Sequence, residues 1–585
     1  MRRFLRLSPF LALLSLALGA CGGEETARDA LSEAPPEQAP VAADLVLRNG
    51  AVKTPDGWVG ALAVRDGSIV AVGDAAAMEP FVGPETQTID LAGDVVMPGL
   101  HDMHVHPIFG GVRQTECFIP QGSTLPQLQE RVAACAQGVA DGAWVTGGQW
   151  DAATIGEVPN RQMVDAVSGE TPILLTDTSG HSALANSAAL AIAGVTAATE
   201  DPPGGIIERD ADGEPTGVLR ETAIGLVRSF VPAPPVDALR DALLWAQQEM
   251  LSYGITAYTE ASHGFVGGYD EEFAAYEALG NEGALPHRTR VCMTWDPSAP
   301  ETEEAIGRLS TETIADVRFD CVKIFLDGVP TDSHTAAMLE PYERPMEGRD
   351  DEASQYGLLL VDQDTLNTGV TEFDAMGLTV KFHAAGDAAV RAGLNAIEAA
   401  RAANGDSGLR HSVGHCTFVD EADVARAAAI GATFEVSPYL WMPSPIMDDI
   451  GREIGETRMR RVWPIRDLMK SGALLVIGSD WAVVPSVNPW PAIEAMVTRQ
   501  APGGSDASIS PGQAISIEEA LDLFTVNGAK QMGREGRAGA IAPGMMADFI
   551  VIDRNPYEVP ITDVHKVQTK RTFIGGELVF EADDV

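Results

Sequence analysis

The chain has 585 residues, of which 84 are acidic and 40 are lysine or arginine, and its formal net charge at pH 7 is −44. Such an excess of carboxylates argues against a nucleic-acid partner and against electrostatic adhesion to anionic lipid. Five of the six cysteines follow Cys21. They are scattered and odd in number, which indicates no disulfide framework and permits one bridge.

The first twenty residues predict an export signal. Three arginines among the first six residues precede an apolar run, 11–18, that is too short for a membrane span. The sequence LGAC, which ends at Cys21, resembles the lipobox of bacterial lipoprotein signals and implies cleavage before Cys21 and acylation of its thiol; an ordinary secretory signal is the alternative. Residues 21–43 read as a flexible acidic tether. We expect a lipoprotein on the periplasmic side of the cell envelope, attached to the membrane by its lipid anchor only.

Short strands with polar turns follow the tether and return at the end of the chain. Residues 45–47 end at Asn49-Gly50, and residues 61–64 and 69–72 flank Asp66-Gly67, which is the alternation typical of hairpins. Residues 547–553 and 572–580 form a matching set. We predict one composite β-sandwich from residues 44–97 and 536–585; two unrelated β-appendages are the alternative.

Between residues 98 and 535, short β-rich runs alternate with alanine-rich helical segments such as 236–253, 388–403 and 517–527. Eight strand–helix units in series predict an α/β protein with a (β/α)8 TIM barrel. The interval 109–235 is too long for one crossover and has its own strand-like run, 172–176, so we expect an inserted subdomain after strand 1. The candidate barrel strands are 95–106, 254–260, 290–293, 321–326, 378–383, 410–415, 432–436 and 474–479.

The sequence VVMPGLHDMHVHP (95–107) concentrates potential metal ligands at the end of the first strand. Alternate side chains share a face of a strand, so His104 and His106 point the same way, with Asp102 on that face too. Two imidazoles about 6–7 Å apart along a strand can close on one divalent ion. A lone His-x-His is more often two ordinary histidines, so the argument depends on partner ligands elsewhere in the chain.

Further polar side chains fall at or near the ends of later candidate strands: Lys323, His383, His415 and Asp480. Each alone has a structural alternative, since a histidine can be satisfied in the core, a lysine can snorkel to the surface and an aspartate can cap a helix. Reactive residues of a barrel collect at the carboxyl ends of its strands. Together with the two histidines of strand 1, these residues predict a metal site.

These motifs resemble those of the metal-dependent amidohydrolase superfamily. PGLHDMHVH resembles its strand-one motif, and VKIFLDGV, FHAAGDAAV, RHSVGHC, GSDWAVVPSVNPW and GHSALANSAAL resemble the YtcJ-like, or amidohydrolase-3, branch. The closing run 525–553 does so too, and the resemblance covers nearly all of residues 44–580 in order. It implies a composite β-sandwich with a (β/α)8 barrel and a metal-activated hydrolytic water, and it is not specific for substrate.

The resemblance also implies a role for each ligand. His104, His106 and Asp480 would bind the more buried ion, and His383 and His415 would bind a second one. We expect one or two divalent metal ions, with zinc as the first choice for imidazole and carboxylate ligands.

Lys323 occupies the position at which relatives have a lysine that can be carboxylated to bridge both ions. A carbamate supplies two anionic oxygens, whereas an ammonium group would repel the ions. Two positions depart from the family pattern: Gly414 replaces a glutamate, and His334 stands where many relatives have an arginine. These changes concern substrate contacts rather than the metal core, which makes His334 a weak candidate for substrate binding.

The ligands and the resemblance predict hydrolysis of a carbon–nitrogen bond, a non-peptide amide or N-acyl linkage of a small molecule, by a metal-activated hydroxide. Asp480 would take the proton from the water and return it to the leaving nitrogen. His181 is a candidate substrate or oxyanion contact, or else a structural histidine, and His263 and Trp481 are weaker candidates at the mouth. An esterase or lactonase with the same centre is the alternative enzyme. A surface-anchored binding protein without turnover is the other alternative, and the complete ligand set argues against it; a homo-oligomer is left open.

Overall fold

The computed structural model describes residues 41–120, 122–140, 142–346 and 351–583. The predicted signal peptide, Cys21 and most of the predicted tether lie outside these residues. No helix within the described ranges is long and apolar enough to cross a membrane.

The described residues form 23 strands: β1 Leu45–Thr54, β2 Gly57–Arg65, β3 Ser68–Gly73, β4 Gln87–Asp90, β5 Val95–Pro98, β6 Leu100–Val105, β7 Cys117–Phe118, β8 Val145–Trp150, β9 Ile173–Asp177, β10 Ser182–Ala185, β11 Gly205–Arg209, β12 Pro215–Glu221, β13 Ile255–His263, β14 Arg288–Thr294, β15 Thr313–Ile314, β16 Val317–Phe325, β17 Thr379–Ala384, β18 Ser412–His415, β19 Thr433–Val436, β20 Leu474–Ile477, β21 Phe549–Ile552, β22 Thr569–Ile574 and β23 Glu577–Glu581. The α-helices of the same residues are α1 Ala75–Met78, α2 Pro107–Val112, α3 Leu125–Gly138, α4 Ala152–Ile155, α5 Gln162–Ser168, α6 Ser187–Ala193, α7 Gly225–Arg228, α8 Val236–Ser252, α9 Tyr269–Glu282, α10 Pro300–Leu309, α11 Glu352–Tyr356, α12 Gln363–Ala375, α13 Asp387–Asn404, α14 Glu421–Ala427, α15 Pro445–Ile454, α16 Glu456–Met459, α17 Ile465–Lys470, α18 Pro489–Thr498, α19 Ile517–Phe524 and α20 Val526–Gln531. Short 3-10 helices span Glu79–Phe81, Thr222–Ile224, Pro438–Leu440, Pro511–Gln513 and Ile561–Lys566.

Strands from both ends of the chain form one eight-stranded sheet in the order β23-β22-β21-β5-β1-β2-β3, with β4 paired to β1. The two ends join where β5 pairs antiparallel with β21. Phe549 of β21 stacks on Phe573 of β22 with ring centroids 4.7 Å apart, and Leu47 and Val52 of β1 lie in the same buried cluster. Both ends of the chain therefore contribute strands to one sheet, as expected. The described strands do not confirm that this sheet is part of a sandwich.

Eight parallel strands form a nearly closed barrel in the order β6-β13-β14-β16-β17-β18-β19-β20. β17 and β18 are buried along their whole length, as expected for parallel strands with helices on the outside. The edges meet where the carbonyl of His104 accepts the N–H of Asp480 at 2.8 Å and the carbonyl of Trp481 accepts that of His106 at 2.5 Å. The predicted α/β class and parallel barrel are confirmed.

The first predicted strand, 95–106, is two strands in the structure. Its first part, β5, belongs to the terminal sheet, and its second part, β6, opens the barrel. The chain changes sheets at Gly99, where a Cβ would collide with the side chain of Thr256 on β13. Only glycine permits that close approach.

Between β6 and β13 the chain forms a six-stranded sheet in the order β11-β12-β10-β9-β8-β7. β9 coincides with the strand-like run that the sequence indicated in this interval. The connection between β9 and β10 carries His181 towards the carboxyl end of the barrel, where its ring centroid lies 4.8 Å from that of His383.

The described residues contain two disulfides, whereas the sequence indicated no framework and permitted one bridge. Cys117 of β7 is bonded to Cys135 of α3, and Cys292 of β14 is bonded to Cys321 of β16. The second pair stands directly opposite in the parallel register of two neighbouring barrel strands. That register depends on the fold, so the spacing of the cysteines alone does not disclose the pairing. The free Cys416 is buried.

Candidate metal centre

A cavity of about 410 Å³ lies at the carboxyl ends of the barrel strands. Its lining includes His383 near the end of β17, His415 at the end of β18, Asp480 just after β20 and His181 from the connection between β9 and β10. Parallel strands place the ends of distant segments side by side, which is why residues from β17, from β18 and from the turn after β20 share this wall.

Within the part of the chain that the structure describes, His104, His106 and Asp480 form a cluster of potential metal ligands. One ligand atom from each lies within 4.8 Å of the other two. Asp480 Oδ1 is 3.3 Å from His106 Nε2 and 3.6 Å from His104 Nε2. Two imidazole nitrogens and a carboxylate oxygen around one point are the donor set of a transition-metal site.

Side chains behind this cluster hold its two imidazoles in position. His104 Nδ1 lies 2.5 Å from Glu435 Oε1, so the nitrogen donates to the carboxylate and leaves Nε2 with its lone pair. Glu435 is in turn paired with Lys381, and all three side chains are buried. His106 Nδ1 contacts Ser262 Oγ at 2.8 Å. Such contacts fix the tautomer and the orientation of a metal-binding histidine.

Lys323 enters the same cluster from β16. Its Nζ lies 3.3 Å from His104 Nε2 and 4.8 Å from the centroid of the Phe325 ring. Burial, together with the positive charge of Lys381, lowers the pKa of Lys323 to about 7. A substantial neutral fraction of this amine is therefore expected near neutral pH.

His383 and His415 stand beside each other, with ring centroids 4.3 Å apart. His383 Nε2 donates to the carbonyl of Gly328 at 3.0 Å, which leaves its Nδ1 with the lone pair. His415 Nε2 is buried and has no hydrogen-bond partner among the described residues. A buried imidazole nitrogen without a partner is costly, and a bound cation would satisfy it. The donors of this centre therefore fit one or two divalent ions.

The backbone at two of these candidate ligands adopts a left-handed conformation that is uncommon for residues other than glycine. The φ angles are +67° at His415 and +62° at Asp480. Such conformations cost about 1–3 kcal/mol and cluster at functional sites, where they aim a side chain.

His181 lines the cavity beside His383, with the two ring centroids 4.8 Å apart. Its Nδ1 lies 2.8 Å from Glu221 Oε2. Burial alone would lower the pKa of His181, but the charge and hydrogen bond of Glu221 outweigh it and raise the pKa to about 9. At neutral pH this imidazole is cationic, so it is suited to donating a hydrogen bond and unsuited to accepting a proton.

Three weaker candidates from the sequence do not line the cavity. His334 contacts the carbonyl of Ser354 at 2.7 Å and Glu453 Oε2 at 2.9 Å, so both its ring nitrogens are engaged elsewhere. His263 is fully buried, and its Nε2 donates to the carbonyl of Tyr269 at 3.1 Å.

Trp481, the third of these, is buried behind the neighbouring Asp480. Its indole packs closely on Gly110 of α2 and lies 5.9 Å, between centroids, from Trp245 of α8. Trp481 does not line the cavity because the turn after β20 directs Asp480 to the cavity and the side chain of Trp481 to the helices.

Sequence reasoning missed Glu435, Lys381 and Glu221. The first two are charged residues inside barrel strands that are buried along their whole length. A charged side chain in a buried strand is rarely tolerated without a partner, so the sequence could have indicated that Lys381 and Glu435 have buried partners. Lys381 also precedes His383 by two residues, which places both on one face of β17. Nothing in the sequence around Glu221 pointed to His181.

The chain forms a parallel α/β barrel, and histidine and aspartate side chains suited to binding a metal lie at the carboxyl ends of its strands. Residues 87–580 match the model of the amidohydrolase family, and the chain belongs to that family.

Relatives extend along nearly the whole chain. "Protein LONG AFTER FAR-RED 3" of Arabidopsis thaliana is 31% identical over 92% of this chain and 92% of its own length. The "putative amidohydrolase YtcJ" of Bacillus subtilis (strain 168) is 29% identical over 89% of this chain and 96% of its own. The "N-substituted formamide deformylase" of Arthrobacter pascens is 26% identical over 92% and 98%. The predicted resemblance to the YtcJ-like amidohydrolases is confirmed.

Among solved structures, an uncharacterized metal-dependent hydrolase from Pyrococcus horikoshii OT3 has a TM-score of 0.68 at 23% identity, over 88% of this chain and 99% of the other. This similarity supports the fold described above.

Proposed function

We propose that the protein is a metal-dependent hydrolase that cleaves the carbon–nitrogen bond of a non-peptide amide or N-acyl compound. The observation that carries the proposal is the convergence of His104, His106 and Asp480 within 4.8 Å, next to a cavity large enough for a small molecule. Membership of the amidohydrolase family supports hydrolysis. A relative named as a formamide deformylase supports a carbon–nitrogen bond.

In this proposal His104, His106 and Asp480 would hold one divalent ion, zinc first, and His383 and His415 would hold a second. A bound ion of this kind acidifies water and polarises a carbonyl group. Glu435 keeps the His104 ring oriented through the 2.5 Å contact to Nδ1.

We assign to Lys323 a carboxylated form, whose two oxygens would help to hold the divalent ions. Its amine is buried, faces His104 Nε2 at 3.3 Å and has a pKa lowered to about 7 by burial and by Lys381. Carbamate formation needs the neutral amine, which adds through its lone pair to carbon dioxide and releases a proton. The product carries two anionic oxygens among imidazole donors instead of a cationic group.

Proton movement is assigned to Asp480. Its carboxylate lines the cavity and can take a proton from the attacking water and deliver it to the leaving nitrogen, which departs as a neutral amine. His181 would donate a hydrogen bond to the substrate carbonyl or to the oxyanion, because Glu221 keeps its imidazole protonated.

The test compares metal content and turnover in the same preparations. Wild-type protein should contain one to two equivalents of a transition metal and hydrolyse N-acyl amines, whereas His104→Ala and His106→Ala should lose both. His565→Asn is the matched control, since His565 lies outside the site and contacts Glu494. Full activity after exhaustive chelation would refute the proposal. Turnover of esters or lactones without turnover of any amide would assign the centre to the alternative enzyme class.

We also propose that Cys21 carries the lipid anchor. The lipobox-like sequence motivates this, and the two disulfides suit an oxidising compartment outside the cytoplasm. Cys21→Ser, expressed in a Gram-negative host, should leave the membrane fraction or remain unprocessed. A wild-type protein that is released in soluble form with another N-terminal residue would contradict the anchor.

A further inference from the structure

We propose that Glu260 is a positioning residue of the candidate metal centre, which holds the imidazole of His106 and raises the affinity of the centre for its ion. The inference rests on the proposed function for the presence of that ion. It concerns a buried side chain that does not line the cavity and is not one of the three clustered ligands. A direct contact with a substrate in the cavity is therefore not its role.

Glu260 stands directly behind the His106 ring. It lies on β13, next to β6 in the barrel, and pairs in register with Val105, the residue before His106. Its Oε1 is 3.7 Å from His106 Nδ1. The same oxygen accepts the N–H of Ser262 at 3.1 Å, and the Ser262 hydroxyl lies 2.8 Å from His106 Nδ1. One imidazole nitrogen thus faces a carboxylate and a hydroxyl that are joined to each other.

The backbone of β13 is irregular at this point. Glu260 and His263 lie three residues apart on β13, whereas their partners on β14 lie two residues apart. Such an extra residue is rare between parallel strands, and irregularities of this kind re-aim side chains next to active sites. Ser262 falls within the irregular segment, and its hydroxyl is directed to the His106 ring.

These contacts decide which nitrogen of His106 is available to an ion. Nε2 lies 3.3 Å from Asp480 Oδ1, on the side of the candidate centre. With Nδ1 donating its proton towards Ser262 and Glu260, Nε2 keeps its lone pair for the ion. A carboxylate beside the N–H of a metal-binding imidazole fixes the orientation of the ring and makes the other nitrogen a stronger donor.

Glu260 differs from Glu435 in how its charge is balanced. Glu435 is paired with Lys381, whereas, within the part of the chain that the structure describes, the ion pair of Glu260 is with His106 and none is with lysine or arginine. A buried carboxylate without a full cationic partner is costly. In the proposed centre, the charge of an ion at Nε2 balances that of Glu260 across the imidazole ring. The carboxylate should therefore stabilise the metal-bound protein more than the metal-free protein.

Glu260→Gln tests the inference, because glutamine keeps the shape of the side chain and removes its charge. Zinc affinity, measured by competition with a chromogenic chelator, should fall about 10-fold or more, since loss of such a partner typically costs about 10–100-fold. The midpoint of urea unfolding of the metal-free variant should stay the same or rise, because a buried charge has been removed. Saturating zinc should raise this midpoint less than in the wild type.

Glu272→Gln is the matched control. Glu272 is a buried acid of α9 that accepts the N–H groups of Gly264, Val266 and Gly267 and makes no contact with His106. Loss of this carboxylate should lower the unfolding midpoint of the metal-free protein and leave zinc affinity unchanged. The two variants thus separate support of the ion from support of the fold.

Wild-type zinc affinity in a folded Glu260→Gln protein overturns the inference. A lower unfolding midpoint of metal-free Glu260→Gln, or an equal loss of affinity in Glu272→Gln, also overturns it, since the role is then structural. If the wild type binds zinc and hydrolyses no N-acyl amine, the proposed reaction fails, and the zinc affinities still decide this inference. A wild-type protein that binds no zinc overturns both.

Discussion

The most informative perturbation is Glu435→Gln, since this residue supports the site without lining the cavity. The side chain is fully buried between His104 Nδ1 and the ammonium group of Lys381. Glutamine preserves the shape and can still accept one hydrogen bond, but it carries no charge. Two separate effects are expected, one on the metal and one on folding.

The effect on the metal acts through the His104 ring. Loss of the carboxylate makes Nε2 a weaker donor and loosens the orientation of the imidazole, so metal affinity should fall about 10-fold, at the low end of the 10–100-fold range for such partners. The effect on folding acts through Lys381, whose remaining contact is the carbonyl of Met103 at 2.8 Å. Leaving one member of a buried ion pair unpartnered costs about 3–5 kcal/mol.

Urea unfolding of chelated protein and metal titration against a competing chelator measure the two effects independently. The double variant Lys381→Met/Glu435→Gln should regain most of the stability, because no buried charge is left alone, but it should not regain metal affinity. Wild-type affinity in a folded Glu435→Gln protein would refute the supporting role of Glu435. If the double variant regained metal affinity, the loss of affinity in Glu435→Gln would have come from misfolding.

Three further predictions concern the site itself. Asp480→Asn, measured at full metal loading, should keep the fold and lose about 10²–10⁴-fold in turnover of an N-acyl substrate; near-normal turnover would remove Asp480 from proton transfer. Lys323→Ala should be inactive, and bicarbonate or a short carboxylic acid should partly restore activity; diffraction showing an unmodified amine with two ions bound would contradict the carbamate. In chelated protein, the stabilisation by the His181–Glu221 pair should be complete below pH 6.5 and lost as the pH rises towards about 9, because the pKa of His181 is raised from 6.5 to about 9 on folding. His181→Gln should therefore flatten the decline in melting temperature between these pH values, and an equally steep decline would disprove the pairing.

The barrel could be predicted from the sequence because its strands are apolar runs separated by helical segments, and most observed bounds differ from the predicted ones by only a few residues. The assignment of 95–106 to one strand failed because β5 pairs with β21 of the terminal sheet whereas β6 pairs with β13 of the barrel, and these partners are distant in sequence. The histidines near the carboxyl ends of strands were predicted from their position along the chain, and the structure brings them to one end of the barrel. His334 was judged by its position in a motif, whereas its side chain is held by Ser354 and Glu453, away from the cavity.

Residues that support the site were harder to predict than residues that line it. Glu435 meets His104 across 331 positions of sequence, and this contact exists only because the barrel nearly closes. The disulfide between Cys292 and Cys321 depends in the same way on the register of adjacent strands. Contacts of this kind follow from tertiary geometry, which local sequence patterns do not encode.

Crystallography with anomalous diffraction at the zinc edge tests the central claim most directly. The account predicts an anomalous peak in contact with His104, His106 and Asp480 in protein that hydrolyses an N-acyl substrate, and loss of both the peak and the activity in His104→Ala. Active protein with no peak at these three residues, or with its metal bound at another site, would contradict the account.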